Sequence, residues 1–151
     1  MKLTDILSGD CILAPLDARD KSQAIRQLVG VLTRTGKCND EQALLNAVME
    51  REAIRSTGIG SGLAVPHAKC KCCSGLVMSL GRPLTPIDFL SKDGRPVDLI
   101  VLLASPPDQT GPHIQALARI SRLMLMDDFR QHLIRAPDAS AIYEAILRAE
   151  T

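Results

Sequence analysis

The chain has 151 residues, with 18 basic and 17 acidic side chains and a formal net charge of +1, a size that suits one domain over residues 1–151 and a balance that gives no long-range field for nucleic acid. Apolar residues make up 46% and aromatics only 2%, with no Trp, one Tyr and two Phe; a core is affordable from Leu, Ile, Val, Ala and Met, whereas stacking on bases or sugar rings is not the main mode of recognition. Met1 to Ser8 lacks the apolar stretch of a signal peptide, and nothing approaches the roughly 18 apolar residues of a membrane span, so a cytoplasmic protein without membrane insertion is expected.

Cys11 to Asp17 predicts a short strand. Asp20 sits where an N-cap would be, ahead of Ala24, Ile25, Leu28, Val29 and Leu32 at helical spacing, and Gly36 suits the stop. Asn39 and Asp40 open a second helix with Ala43, Leu44, Ala47 and Val48 on its inner face. Ser56 to Gly62 is rich in turn formers. Leu63-Ala64-Val65 reads as a small strand halted by Pro66, which puts His67 at a loop tip. Leu76 to Leu80 predicts another strand, Pro83 and Pro86 an irregular connection, and Asp93-Gly94 a turn. Val97 to Ala104 is nearly all apolar, as in a central strand buried on both faces. Ser105 to Pro112 is a loop. Helical spacing begins at His113, with Ile114, Leu117, Ala118, Ser121 and Leu125 on one face. Met126-Asp127-Asp128 contains a break, Phe129 to Arg135 forms a short helix, and Asp138 or Ser140 caps a last helix reaching Arg148. Helices and strands alternating around one buried strand define an α/β class, one sheet with helices on both faces.

Three histidines are available for chemistry: His67, His113 and His132. Gly58, Gly60 and Gly62 lack side chains, so a phosphate or a partner's backbone could approach, and Gly-rich segments present N–H groups to anions. No Gly-Lys-Ser/Thr follows, which excludes a Walker A loop. The plain alternatives are a loop histidine bound to water at 67, a capping or surface residue at 113 and a surface residue at 132. At a helix N-terminus the charged form of His113 is disfavoured, leaving a neutral ring able to donate to an anionic oxygen.

The five cysteines are Cys11, Cys38, Cys70, Cys72 and Cys73. The odd count without a secretion signal predicts reduced thiols. His67 with Cys70, Cys72 and Cys73 offers four soft ligands, but all from one segment, and adjacent Cys72 and Cys73 would point opposite ways on a strand. No metal or cofactor is therefore expected. Lys69 and Lys71 could lower a neighbouring thiol pKa.

The run Thr57-Gly58-Ile59-Gly60-Ser61-Gly62-Leu63-Ala64-Val65-Pro66-His67-Ala68 resembles the active-site signature of the fructose/mannitol-type IIA domains (EIIA type-2) of the phosphotransferase system. Met49-Glu50-Arg51-Glu52, Asp93 to Leu99, and Pro107-Asp108-Gln109-Thr110 with His113 are similar to further stretches of that family, so the resemblance covers essentially the whole chain. It implies a single mixed β-sheet flanked by helices on both faces. It also implies that His67 accepts a phosphoryl group from a phospho-HPr-type donor protein, at Nε2, with the other ring nitrogen on a backbone carbonyl. His113 would donate a hydrogen bond to the phosphoryl group, and Arg51 would help to hold it.

The trio makes chemical sense. Neutral imidazole is a nucleophile near pH 7, and phosphoryl transfer needs in-line positioning with donors for the equatorial oxygens. Arg supplies a planar fork for phosphate, although at a helix end Arg51 could simply complement the dipole. Ser56 to Gly60 and Pro107 to Thr110 resemble the nitrogen-regulatory branch, which implies a regulatory target protein, with Leu63 and Val65 in the docking face. Two alternatives stay open: a sugar-uptake EIIA passing phosphate to a IIB component, and a non-catalytic interaction module with a Cys/His metal or thiol sensor site.

Overall fold

Asp20, Asp40 and Asp138 each turn a carboxylate onto the backbone N–H three residues later, at 2.8, 3.1 and 2.9 Å, satisfying donors that a helix start leaves free. These caps begin three of the five helices. The computed structural model describes residues 1–151. In chain order the elements are β1 (Ile12–Leu16), α1 (Lys21–Arg34), α2 (Glu41–Ile54), β2 (Gly58–Gly60), β3 (Leu63–Ala64), β4 (His67–Lys69), β5 (Val77–Pro83), β6 (Leu99–Ser105), α3 (Thr110–Met124), α4 (Asp127–Arg135) and α5 (Ala139–Ala149). Two short 3-10 turns, Leu3–Asp5 and Gly9–Cys11, precede β1. No helix is long and apolar enough to cross a membrane.

The six strands form one mixed sheet in the order β1-β5-β6-β3-β2. β1 runs parallel to β5, β5 antiparallel to β6, and β2 antiparallel to β3. β3 and β4 lie one after the other along the second edge of β6, both parallel to it, pairing Leu63 with Leu99 and His67 with Leu103. All seven residues of β6 are buried, as its apolar run requires, and Leu99 to Ala104 belong to a core of 40 buried residues.

The sheet is covered on both faces. Ser79 of β5 donates to the Leu28 carbonyl of α1 at 3.0 Å. Arg82, three residues along the strand and so on the other face, donates to the Leu133 and Ile134 carbonyls at the end of α4, at 3.0 and 3.3 Å. α/β, one mixed sheet and two helical layers thus match the expected class.

Several boundaries differ from the sequence reading, each for a physical reason. The turn-rich stretch before β3 holds β2, which forms a tight hairpin with β3; Gly60, Ser61 and Gly62 take positive φ (100°, 57° and 82°) at its tip. β5 continues through Gly81, where Leu16 packs so close that a Cβ would lie 2.7 Å from its Cδ2. α3 starts at Thr110, three residues ahead of His113, and buries His113, Ala116, Ile120 and Met124. The expected stripe is off by one position: Ile114 and Leu125 are exposed, at 60% and 42%, because His113 rather than Ile114 faces the sheet. Finally, Cys70 and Cys72 are joined by a disulfide, whereas Cys11, Cys38 and Cys73 are free and buried. The expectation of thiols throughout is corrected at that pair.

Candidate functional site

Pro66 has no N–H to give to a sheet ladder. It interrupts what would otherwise be one strand along β6, splitting it into β3 and β4, while its own carbonyl still accepts from Leu103 N at 3.0 Å. Just before this break Val65 donates its N–H to the Thr57 carbonyl at 3.0 Å, carrying the β2–β3 pairing one residue past Gly58 and Ala64. The Val65 carbonyl then lies 2.8 Å from Nδ1 of His67. A carbonyl oxygen only accepts, so Nδ1 carries the proton and Nε2 keeps its lone pair. His67 therefore stands on the first residue of β4, not at a loop tip, and the proline break lets the ring fold back on its own backbone.

His113 comes from the first turn of α3. Its Nδ1 is 2.7 Å from Ser105 Oγ, at the end of β6. Contrary to the surface or capping alternative, it is only 4% exposed. The two rings meet edge to face, with centroids 5.7 Å apart and planes at 61°. Arg51, in the last turn of α2, lines the same cleft of about 520 Å³, together with Glu50, Ile54, Lys69 and Leu117. Its Nη1 donates to the Arg55 carbonyl at 3.1 Å, satisfying a carbonyl just past the helix end. The structure thus brings His67, His113 and Arg51 to one cleft from three separate elements. His132 is exposed on α4, away from it.

Electrostatics keep both rings neutral near pH 7. Burial is the main cause of the lowered pKa of His67; Arg51 adds to the lowering, whereas the Val65 hydrogen bond and Glu52 oppose it. His113 is lowered to about 4, by burial first, then by His67 once that ring is protonated in acid, and by the charge of Lys69. Lys69 points across the cleft mouth and donates to Thr110 Oγ1 at 3.0 Å. The site can therefore offer a nucleophilic imidazole nitrogen, a neighbouring neutral imidazole and a guanidinium, all suited to an anionic group.

Two expectations about the surroundings change. Leu63 and Val65, expected in the docking face, are 0% and 4% exposed. The apolar residues that do reach solvent there are Ile54, which lines the cleft, and Ile59, which lines the adjoining hollow with Arg51 and His67, at 82% and 42%. The thiols do not gather around His67: Cys70 is bonded to Cys72, and Cys73 faces Cys38 across an isolated antiparallel bridge. No group of three or more His, Cys, Asp or Glu side chains is placed to hold a metal ion. Burial and the adjacent Cys38 push the Cys73 thiol up to about 11, the opposite of the lowering that Lys69 and Lys71 could bring. Ser105, Glu52 and Thr57 were given no role by the sequence. Ser and Thr are common everywhere, and only the fold brings Ser105 to His113 and Thr57 to Glu52.

Residues 5–149 match the family model described as the phosphoenolpyruvate-dependent sugar phosphotransferase system, EIIA 2. The chain belongs to this EIIA type-2 family. Its relatives include a nitrogen regulatory protein of Bradyrhizobium diazoefficiens, 36% identical over 147 residues that cover 97% of this chain and 95% of that protein. A fructose-specific EIIABC component of Bacillus subtilis is 35% identical over 146 residues, which cover 97% of this chain but only 23% of that longer protein. The crystal structure of nitrogen regulatory protein IIA-Ntr from Neisseria meningitidis superposes with a TM-score of 0.88 at 24% identity, over 95% of this chain and 98% of that one. This EIIA type-2 chain thus shares its fold with a nitrogen regulatory IIA.

Proposed function

We propose that the chain is a phosphohistidine carrier, with Nε2 of His67 as the acceptor. The observation that carries the reading is the 2.8 Å hydrogen bond from Nδ1 to the Val65 carbonyl. It commits the ring to one tautomer and leaves a single nucleophilic nitrogen beside His113 and Arg51. The phosphoryl donor is a phosphohistidine on an HPr-type protein or its nitrogen-branch equivalent. As the Nε2–P bond forms, the donor's P–N bond breaks and its electron pair returns to the donor imidazole. His67 keeps its Nδ1 proton throughout.

His113 serves as a donor to one phosphoryl oxygen. With its pKa near 4, the ring carries a single proton at pH 7. When Ser105 donates to Nδ1, that proton sits on Nε2, available to the phosphoryl group. Arg51 supplies the cation for the remaining oxygens. The role is regulatory, of the nitrogen kind: a dianion added at a cleft with exposed Ile54 in its lining and Ile59 beside it changes which protein docks there. The alternative is sugar uptake, with a IIB component as the next acceptor. The fructose-specific relative favours it about as much as the nitrogen regulatory one favours regulation.

The test is incubation with phosphoenolpyruvate, enzyme I and HPr, followed by a mobility-shift gel for an acid-labile phosphoprotein. Label is expected on the wild type and absent from His67→Ala. A folded wild type that takes no label from a matched, active donor overturns the carrier role. Onward transfer to a fructose-type IIB would place the chain in sugar uptake.

A further inference from the structure

Glu52 is a buried acid in an unfavourable place. It lies in the last turn of α2 and is 6% exposed, so its carboxylate faces the negative end of the helix dipole and is cut off from water. Three donors compensate it. Thr57 N lies at 2.9 Å from Oε2 and Thr57 Oγ1 at 2.5 Å from Oε1, and Lys21 Nζ of α1 lies at 3.0 Å from Oε2. Both polar groups that Thr57 can donate are thus spent on one carboxylate.

The other polar group of Thr57, its carbonyl, accepts from Val65 N at 3.0 Å. The Val65 carbonyl in turn accepts from Nδ1 of His67 at 2.8 Å. A continuous chain of hydrogen bonds therefore leads from Lys21 through Glu52, Thr57 and Val65 to the imidazole. It runs past Pro66, which has no N–H of its own to give to β6. From the same helix turn, Arg51 enters the cleft, so the grip of Glu52 on Thr57 also sets the end of α2 against His67.

We propose that Glu52 is a positioning residue for His67, holding through Thr57 the Val65 carbonyl that fixes the Nδ1–H tautomer and points Nε2 into the cleft. The inference rests on His67 as the acceptor only for its effect on transfer. Its effect on the tautomer needs no phosphate.

The experiment is nitrogen-15 NMR of the His67 ring in unphosphorylated wild type, Glu52→Gln and Glu52→Ala, alongside the phosphorylation rate and a urea unfolding midpoint. Wild type should show His67 nearly all as the Nδ1–H tautomer. Glu52→Ala should give a tautomer mixture and about a tenfold slower transfer. Glu52→Gln keeps an acceptor for Thr57 but loses the Lys21 ion pair, and should fall between them. A purely structural role would lower the midpoint and leave the tautomer ratio unchanged in the folded protein; that result overturns the proposal. If Glu52→Ala does not fold, Thr57→Val decides, since it cuts only the hydroxyl arm. A shifted tautomer ratio there supports the relay, and an unchanged ratio refutes it. A wild type with the fixed tautomer but no phosphate uptake would overturn the carrier role and leave the relay standing.

Discussion

The two histidines of the cleft are held by opposite means. His67 is held by backbone, through a carbonyl two residues earlier in its own chain segment. His113 is held by a side chain, the hydroxyl of Ser105 at the end of a different element. A carbonyl accepts and does nothing else, so it fixes the proton on the His67 ring. A hydroxyl donates or accepts, so the His113 ring can answer whatever faces its second nitrogen. The fixed wall suits a nucleophile that must always present the same atom. The adaptable wall suits a donor to a group that arrives and leaves.

Short of removing the acceptor itself, the largest expected effect comes from removing the adaptable wall. His113→Ala should slow phosphoryl transfer about 100-fold, equivalent to about 2.7 kcal/mol, the scale of one lost transition-state donor. The initial rate of phosphoprotein formation measures it, with circular dichroism to check that the variant folds. A rate within a few-fold of wild type would mean that the His67 wall and Arg51 suffice, and the two-wall comparison would fail.

Acid should sharpen the contrast next. His113 titrates at about 4 in the folded protein against an ordinary value of 6.5, chiefly because it is buried. An unfolded chain binds that proton as pH falls through 6.5, whereas the folded chain resists until about 4. The unfolded state holds more protons in this window, so stability is complete above it and is lost as pH drops. The slope reaches at most about 1.4 kcal/mol per pH unit for one group. His67, also lowered by burial, acts in the same direction. Urea midpoints at pH 7, 6 and 5 should fall faster for wild type than for His113→Gln. Parallel lines would show that His113 is protonated more easily than its burial implies.

How much of this was legible in the sequence depended on range. The Asp20 cap was readable outright, and Asp40 and Asp138 each as one of two candidates, because each acts on a residue three positions away. β6 was readable because its apolar run needs no context. The Gly-rich run before Pro66 and His67 was readable as a family signature, and it marked the fixed wall, whose decisive contact spans two residues. The adaptable wall was harder. His113 was readable as a neutral donor near a helix start, but its place beside His67 came only by resemblance, and its burial was missed because the face of α3 was set one residue off. That face depends on how α3 meets β6, a contact no local period encodes. Glu52 and Thr57 hid for a related reason: five residues apart, they meet only where α2 ends and β2 begins. The Cys70–Cys72 bond hid behind a sound prior, since an odd count without a secretion signal does favour thiols.

That bond provides the smallest expected effect and the finest test of the comparison. The disulfide closes a loop of three residues just after β4, and so short a loop restricts the unfolded chain by at most about 1.6 kcal/mol. Denatured without reductant, the protein should alkylate at three cysteines, Cys11, Cys38 and Cys73, and after dithiothreitol at all five. His67 is anchored from its N-terminal side, at Val65, so reduction or Cys70→Ser with Cys72→Ser should leave the phosphorylation rate within about twofold. The adaptable wall is nearer to the bond: Cys70 N donates to the Ser105 carbonyl at 2.8 Å, and Ser105 carries the hydroxyl that meets His113. A clear loss of rate on reduction, with the His67 tautomer unchanged, would therefore locate the disturbance at Ser105 and His113. It would show that the fixed wall stands alone, whereas the adaptable wall leans on the segment that follows β4.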